Sequence, residues 1–317
     1  MLKEEDTVMS YSLKQVAFNI IQAATRPLIG KGIGRFRLLW HIYNFAIKKI
    51  RPEQAEIIEI EDFLMKVSTK ERGLDGITIA LVFTHSYEPM TTQVFKNVLC
   101  KGMNVIDVGA NIGYFSLLAS KLVGDSGKVW AIEPEPNNFK HLIENVRLNN
   151  MENIIPVDKA ASDVGGKTSL FVSKEESGEH SLVGGRLHTK DTIEVETLKL
   201  DDLIDNHKVD LIKTDTEGHE MSVLSGASNI IARNRDLILI IEFLPLGIKA
   251  SGHTPRIFWR MLGEYNFKYI YIIDEVRKEI LPGSCEKAIK WCQKNKLGVN
   301  LLCSREQIGL NKKEVLQ

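Results

Sequence analysis

The hydrophobic rhythm of the chain changes twice. Over the first fifty residues, apolar positions recur at helical spacing. Leu13, Val16, Ala17, Ile20, Ile21 and Ala24 form one stripe, ended by Pro27. Leu38, Leu39, Ile42, Phe45 and Ala46 form a second, ended near Pro52. The run GITIALVF (76–83) predicts a strand, and THSYEPMTTQVFKNVL after it predicts a turn and a helix. From Met103 onward, short apolar runs alternate with helical patterns. MNVIDVG, KVWAIEP, NIIPVD, VDLIKTD and DLILIIEF predict five buried strands. GYFSLLASKLVG, NNFKHLIENVRLNN and HEMSVLSGASNIIAR predict the helices between them, the second with Phe139, Leu142, Ile143, Val146 and Leu148 facing inward. Strands this apolar, alternating with helices, predict an α/β fold: a parallel sheet covered on both faces. KTSLFVS and DTIEVETLKL alternate like strands and form an insertion at about 167–199, joined by a loop long enough to act as a lid or binding loop. NFKYIYIID and GVNLLCS predict a last, antiparallel pair at the sheet edge.

Composition narrows the class. Lysine plus arginine and aspartate plus glutamate both number 41 in the 317 residues, so the formal charge is zero. That balance argues against a nucleic-acid partner and, lacking a basic stripe, predicts a neutral acceptor. Cys100, Cys285, Cys292 and Cys303 show no metal or disulfide spacing, and the N-terminal MLKEEDTVMS does not read as a signal peptide. The expected location is therefore cytoplasmic, with no transmembrane segment. The second helical stripe is flanked by Arg35, Arg37, Lys48, Lys49 and Arg51. Such a helix packs on its own domain, joins a homo-oligomer or makes peripheral membrane contact through residues 11–51.

Chemistry gathers at the strand ends. An open α/β sheet binds ligands outside the carboxyl ends of its strands. The first strand of the series ends in D-x-G-x-x-x-G, with Asp107, Gly109 and Gly113. A dinucleotide site would show G-x-G-x-x-G, and a carboxylate at Asp107 would repel a pyrophosphate. It suits a cation, such as the amino group and sulfonium of S-adenosylmethionine. Glu133, ending the next strand, is placed to accept hydrogen bonds from a ribose diol. The segment KTDTEGHE brings Lys213, Asp215 and Glu217 to a third strand end, and Glu242 ends the strand after it.

The segments IDVGANIGYFSLLA, IEPEPNNFKHLIENVRLNN, AASDVGGKTSLFVS, VDLIKTDTEGHEMSVLSGA and LILIIEF resemble the FkbM family of S-adenosylmethionine-dependent methyltransferases over roughly 87–304. The resemblance implies a class I methyltransferase fold, Rossmann-like, with a seven-stranded sheet containing one antiparallel strand. It also implies S-adenosylmethionine as cofactor, S-adenosylhomocysteine as product, and methyl transfer to a hydroxyl of a sugar, glycan or related small molecule. The expected organisation is an N-terminal helical extension at 1–75 and a methyltransferase domain at 76–317. Motif and geometry together assign Asp107, Gly109, Asn111 and Gly113 to the methionine part of the cofactor. Glu133 and Pro134 fall to the ribose, and Asp158 and Ala160 to the adenine edge. Glu88 either approaches the cofactor's amino group or caps a helix.

Methyl transfer is an in-line displacement, and a positioned base accelerates it typically ~10²–10⁴-fold. Asp215 or Glu217 suits that role, with Lys213 an ion-pair partner; positioning alone is the competing account. Asp215, Glu217 and Glu242 also form a possible set for a divalent metal such as magnesium. His180, Ser181, Arg186 and His188 in the insertion loop, and Glu242 on the rim, are candidates to meet the acceptor. Two further functions are open: N-methyl transfer, against which the missing N-P-P-Y-type motif argues, and a non-catalytic cofactor-binding scaffold, which would be expected to have lost the strand-end acids.

Overall fold

The computed structural model describes residues 56–67, 76–172, 180–184 and 191–309. The chain divides into two compact units between Tyr87 and Glu88. The helical stripes expected over 11–51, and Arg186 and His188 of the insertion loop, lie outside the described residues.

In the first unit, β1 (Glu56–Ile60) and β2 (Phe63–Val67) form an antiparallel hairpin. Glu61 and Asp62 supply its two-residue turn, both at positive φ, the geometry that matches strand twist. Ile58, Ile60, Phe63, Met65 and Val67 alternate into the core. This hairpin departs from the helical extension expected over 1–75. Residues 76–83 also correct the expected strand: Gly76–Ile79 is α-helical and Ala80–Thr84 continues as a π-helical turn. An apolar run without alternation does not distinguish a buried strand from a buried helix. Thr84 Oγ1 donates to the carbonyl of Ala80 at 2.7 Å and ends the run.

In the second unit, the main sheet contains β3 (Val105–Val108), β4 (Val129–Ile132), β5 (Ile154–Val157), β9 (Leu211–Thr214), β10 (Ile238–Phe243), β11 (Tyr269–Asp274), β12 (Glu279–Pro282) and β13 (Val299–Ser304). Its order is β12-β11-β13-β10-β9-β3-β4-β5. Five neighbouring strands run parallel, and β13 is antiparallel to both β10 and β11. Seven of the strands match the expected sheet; the eighth, β12, adds an edge beyond β11. β13 sits inside the sheet rather than at its edge. β3, β4 and β9 are buried at every position, as the apolar runs require. Their side chains pack with Val223, Leu224, Ile230, Phe258 and Leu262 from the helices. The insertion forms a separate sheet of β6 (Ala160–Ala161), β7 (Gly166–Phe171) and β8 (Thr192–Leu198).

Two helices differ from expectation. The helix Pro136–Leu148 buries Asn138, His141, Leu142 and Asn145; the other apolar residues expected inward are only half-buried. The helix expected after Asp215 is two, Glu220–Ser225 and Ser228–Arg233: at the joint the Gly226 carbonyl accepts from the Asp201 amide, and the Asp201 carboxylate accepts from the Asn229 and Ile230 amides that open the second helix. No helix among the described residues is long and apolar enough to cross a membrane.

Candidate functional site

Strand order reverses between β3 and β9: β4 and β5 extend one way, β10 the other. A crevice at the carboxyl ends of β3 and β9 follows from that topology. The turn after β3 is built to be tight. Gly109 has φ +77°, and a Cβ there would strike the carbonyl of Asp215. Gly113 has φ +97° and opens the helix Tyr114–Val123. Asn111 takes the left-handed conformation between them, at φ +51°. Asn145 Nδ2 donates to the carbonyl of Ile112 at 2.9 Å, so the buried polar face of Pro136–Leu148 holds this turn. Glu133 accepts from the Asn111 amide at 2.8 Å and from the Glu135 amide at 2.9 Å. Its carboxylate is thereby fixed in rotation at the end of β4.

A narrow slot opens here. Of the expected cofactor residues, Gly109, Asn111, Glu133, Pro134 and Ala160 line it. Gly113 and the exposed Asp158 do not line it, and Glu88 lines a different cleft. His180, expected at the acceptor, lines this slot instead. Sequence reasoning missed Asn138, Leu170, Leu182 and Thr216 as lining residues. His219 also lines it, with Nε2 3.1 Å from Ser162 Oγ; burial lowers its pKa. Small and apolar walls beside a fixed carboxylate suit the ribose of an adenosine, of which the slot, at about 60 Å³, encloses only part; Asp215, which also lines it, suits a cationic sulfonium.

Beneath the crevice lies a buried charge cluster. Lys213, 3% exposed, places Nζ 3.4 Å from Asp215 and 3.9 Å from Asp107, over the ring of Phe115. Ser116 donates to Asp107 at 2.6 Å. Burial raises the Asp107 pKa against the pull of Lys213. Burial alone would lower that of Lys213, but Asp215, Asp107 and Glu88 together hold it above the ordinary lysine value. Asp107 and Lys213 line neither cleft. They position Asp215 from below; Asp107, expected on the methionine, is a floor residue.

A second cleft, of about 910 Å³, opens on the other side of Asp215. Asp215, Glu217, Glu242, Glu88 and Glu275 line it with apolar residues from the helices that follow. Glu217 sits at φ +56°, and at Gly218 the backbone passes so close to Gly247 that a Cβ would fall 2.6 Å from its Cα. Glu220, buried, fastens this loop by accepting from the Thr216 amide, the Thr216 hydroxyl and the Gly218 amide. Ser181 lines neither cleft; its hydroxyl donates to the Glu217 carbonyl at 2.9 Å and anchors the insertion to this loop. The ligand atoms of Asp215, Glu217 and Glu242 lie within 4.8 Å of one another, close enough for a shared divalent cation.

Glu88 makes no side-chain cap on the helix Pro89–Val98 that it precedes, which removes the capping alternative. Its carboxylate instead accepts from Asn300 Nδ2 at 2.9 Å. Burial, then the charge of Asp215, raise its pKa to about 8. The cap comes from Glu275, which accepts from the amides of Met90 and Thr91 and from the Thr91 hydroxyl. Glu275 and Asn300, remote in sequence, carried no signal that could have found them.

Residues 107–269 match the model of the methyltransferase FkbM domain. The hexuronic acid methyltransferase AglP of Haloferax volcanii is 30% identical over 162 residues, covering 50% of this chain and 60% of that protein. The ribosomal protein L11 methyltransferase of Thermosipho melanesiensis is 38% identical over 100 residues, covering 31% of this chain and 38% of that one. The chain thus spans less than two thirds of either curated relative. A solved FkbM methyltransferase from Methylobacillus flagellatus KT is 16% identical, with a TM-score of 0.38 over 72% of this chain and 53% of that chain.

Proposed function

The chain belongs to the FkbM methyltransferase family, and from that premise we propose that it transfers a methyl group from S-adenosylmethionine to a hydroxyl of a sugar, glycan or related small molecule. One observation carries the reading: the slot and the larger cleft share Asp215. A donor in one and an acceptor in the other would meet at that carboxylate. S-adenosylmethionine supplies, when bound, a methyl group already activated by its sulfonium.

The chain's own residues do the rest. Glu133 holds the ribose hydroxyls, and Asn111 and Pro134 shape the wall beside them. Asp215 would accept the proton of the acceptor hydroxyl as that oxygen takes the methyl group, with S-adenosylhomocysteine left as the product. Lys213 and the Glu220-fastened loop hold Asp215 in place. The sugar class draws support from AglP, whose name specifies a hexuronic acid.

The test is isotopically labelled S-adenosylmethionine with fractionated extract, the labelled product being located by mass spectrometry and NMR. A methyl on nitrogen, carbon or a nucleobase rejects the reading. Asp215→Asn should lower the rate at saturating acceptor by ~10² or more while S-adenosylhomocysteine affinity holds. A second reading, favoured by the 4.8 Å grouping of Asp215, Glu217 and Glu242, gives these carboxylates a divalent cation. Activity abolished by a chelator and restored by magnesium would select it.

A further inference from the structure

The charges lining the larger cleft are segregated. The carboxylates Glu88, Asp215, Glu217, Glu242 and Glu275 are at most part-exposed, near the ends of strands or of the helix Pro89–Val98. Lys249, Arg256 and Lys296 are exposed at its mouth; Lys249 and Arg256 lie on two helices, and Lys296 follows the end of a third, Cys285–Asn295. Among the described residues none of the three forms an ion pair, although elsewhere in this unit Lys159, Lys167, Lys208 and Arg277 do. Arg256 sits in the first turn of Pro255–Glu264, where the helix dipole disfavours a cation. Its placement there is not explained by helix stability. Trp291 lines the same cleft, and its buried indole N–H has no acceptor.

We propose that the mouth of this cleft is a subsite for an anionic group on the acceptor, a carboxylate or a phosphate, bound by Lys249, Arg256 and Lys296. The inference deepens the methyl-transfer reading and rests on it for the orientation: the hydroxyl points inward to Asp215, the anion outward to the cations. At about 910 Å³ the cleft has room for more than one reacting ring, since pockets that hold drug-sized ligands measure roughly 300–1,000 Å³. The neutral acceptor expected from the whole-chain charge is replaced by a bipolar one. Net charge averages over the surface, whereas recognition depends on which charges share a cleft.

Calorimetry on the full chain, with and without S-adenosylhomocysteine, tests the subsite with three probes: glucuronic acid, glucose 1-phosphate and the neutral methyl glucoside. At least one anionic probe should bind about tenfold or more tightly than the neutral one. That advantage should shrink as salt rises and vanish in a Lys249→Ala/Arg256→Ala/Lys296→Ala variant. Arg256→Glu, a single exposed change, should remove most of it. Preference for glucuronic acid identifies a carboxylate, preference for glucose 1-phosphate a phosphate. Equal binding of charged and neutral probes, no binding of any, or a variant that keeps the anionic preference overturns the subsite. Failure to bind S-adenosylhomocysteine instead rejects the methyl-transfer reading, and the titration without it still reads the anion preference.

Discussion

Glu133 is the residue whose chemistry was plainest from the sequence, and two backbone amides now hold its carboxylate at the slot. Glu133→Ala should weaken S-adenosylhomocysteine binding roughly ten- to a hundred-fold, since a hydrogen bond to a charged group is worth about 1.5–3 kcal/mol. Calorimetry checks it, and equal affinity in the variant would remove Glu133 from the cofactor site. Glu88 was legible only as two alternatives, because a residue before a helix reads equally as cap or ligand. The deciding partner, Asn300, is 212 positions away. Glu88 also makes a prediction about pH. Its pKa rises from the ordinary glutamate value of 4.5 to about 8 in the folded chain. Between those values the folded state holds a proton that the unfolded state has released. Stability therefore falls as pH rises through that window, by at most ~1.4 kcal/mol per unit from this group, and levels off above it. Glu88→Gln cannot titrate and should flatten that slope in denaturant melts. A slope unchanged in the variant would assign the effect to other groups.

At the scale of elements, the five parallel strands were legible because strands buried on both faces must be apolar throughout. β12 was not: its four residues are only half-buried or exposed, so no burial pattern marks it. The inner face of Pro136–Leu148 was misjudged for the opposite reason. Asn145 is buried there because it bonds the turn after β3, a cause that hydrophobicity does not register. The helix Pro89–Val98 shows the same limit. Its first-turn amides are satisfied by Glu275, from the segment after β11, rather than by a neighbour in sequence. Glu275→Ala should cost about 1–2 kcal/mol, as loss of a helix cap does. In a unit of this size that is roughly 2–8 °C in melting temperature. A melting curve unchanged from wild type would show that the cap is dispensable.

At the scale of the molecule, one topological fact places the chemistry: strand order turns back on itself between β3 and β9, so the connections leaving their paired carboxyl ends run to opposite sides and leave a crevice beside Asp215. Every residue that lines the slot or the larger cleft lies between Glu88 and Asn300. The compact unit that begins at Glu88 thus contains the whole candidate site among the described residues. Sequence reasoning put the start of that domain at residue 76, where it read the apolar run as a strand. That run is helical and, among the described residues, no strand of the main sheet precedes Val105, so the sheet forms without it. A chain of residues 88–309 should therefore bind S-adenosylhomocysteine with an affinity within roughly threefold of the full chain, a difference of well under 1.4 kcal/mol. Circular dichroism first establishes that the fragment is folded, and calorimetry then reads the affinity. A folded fragment that binds more than about tenfold more weakly would mean that residues before Glu88 take part in the site.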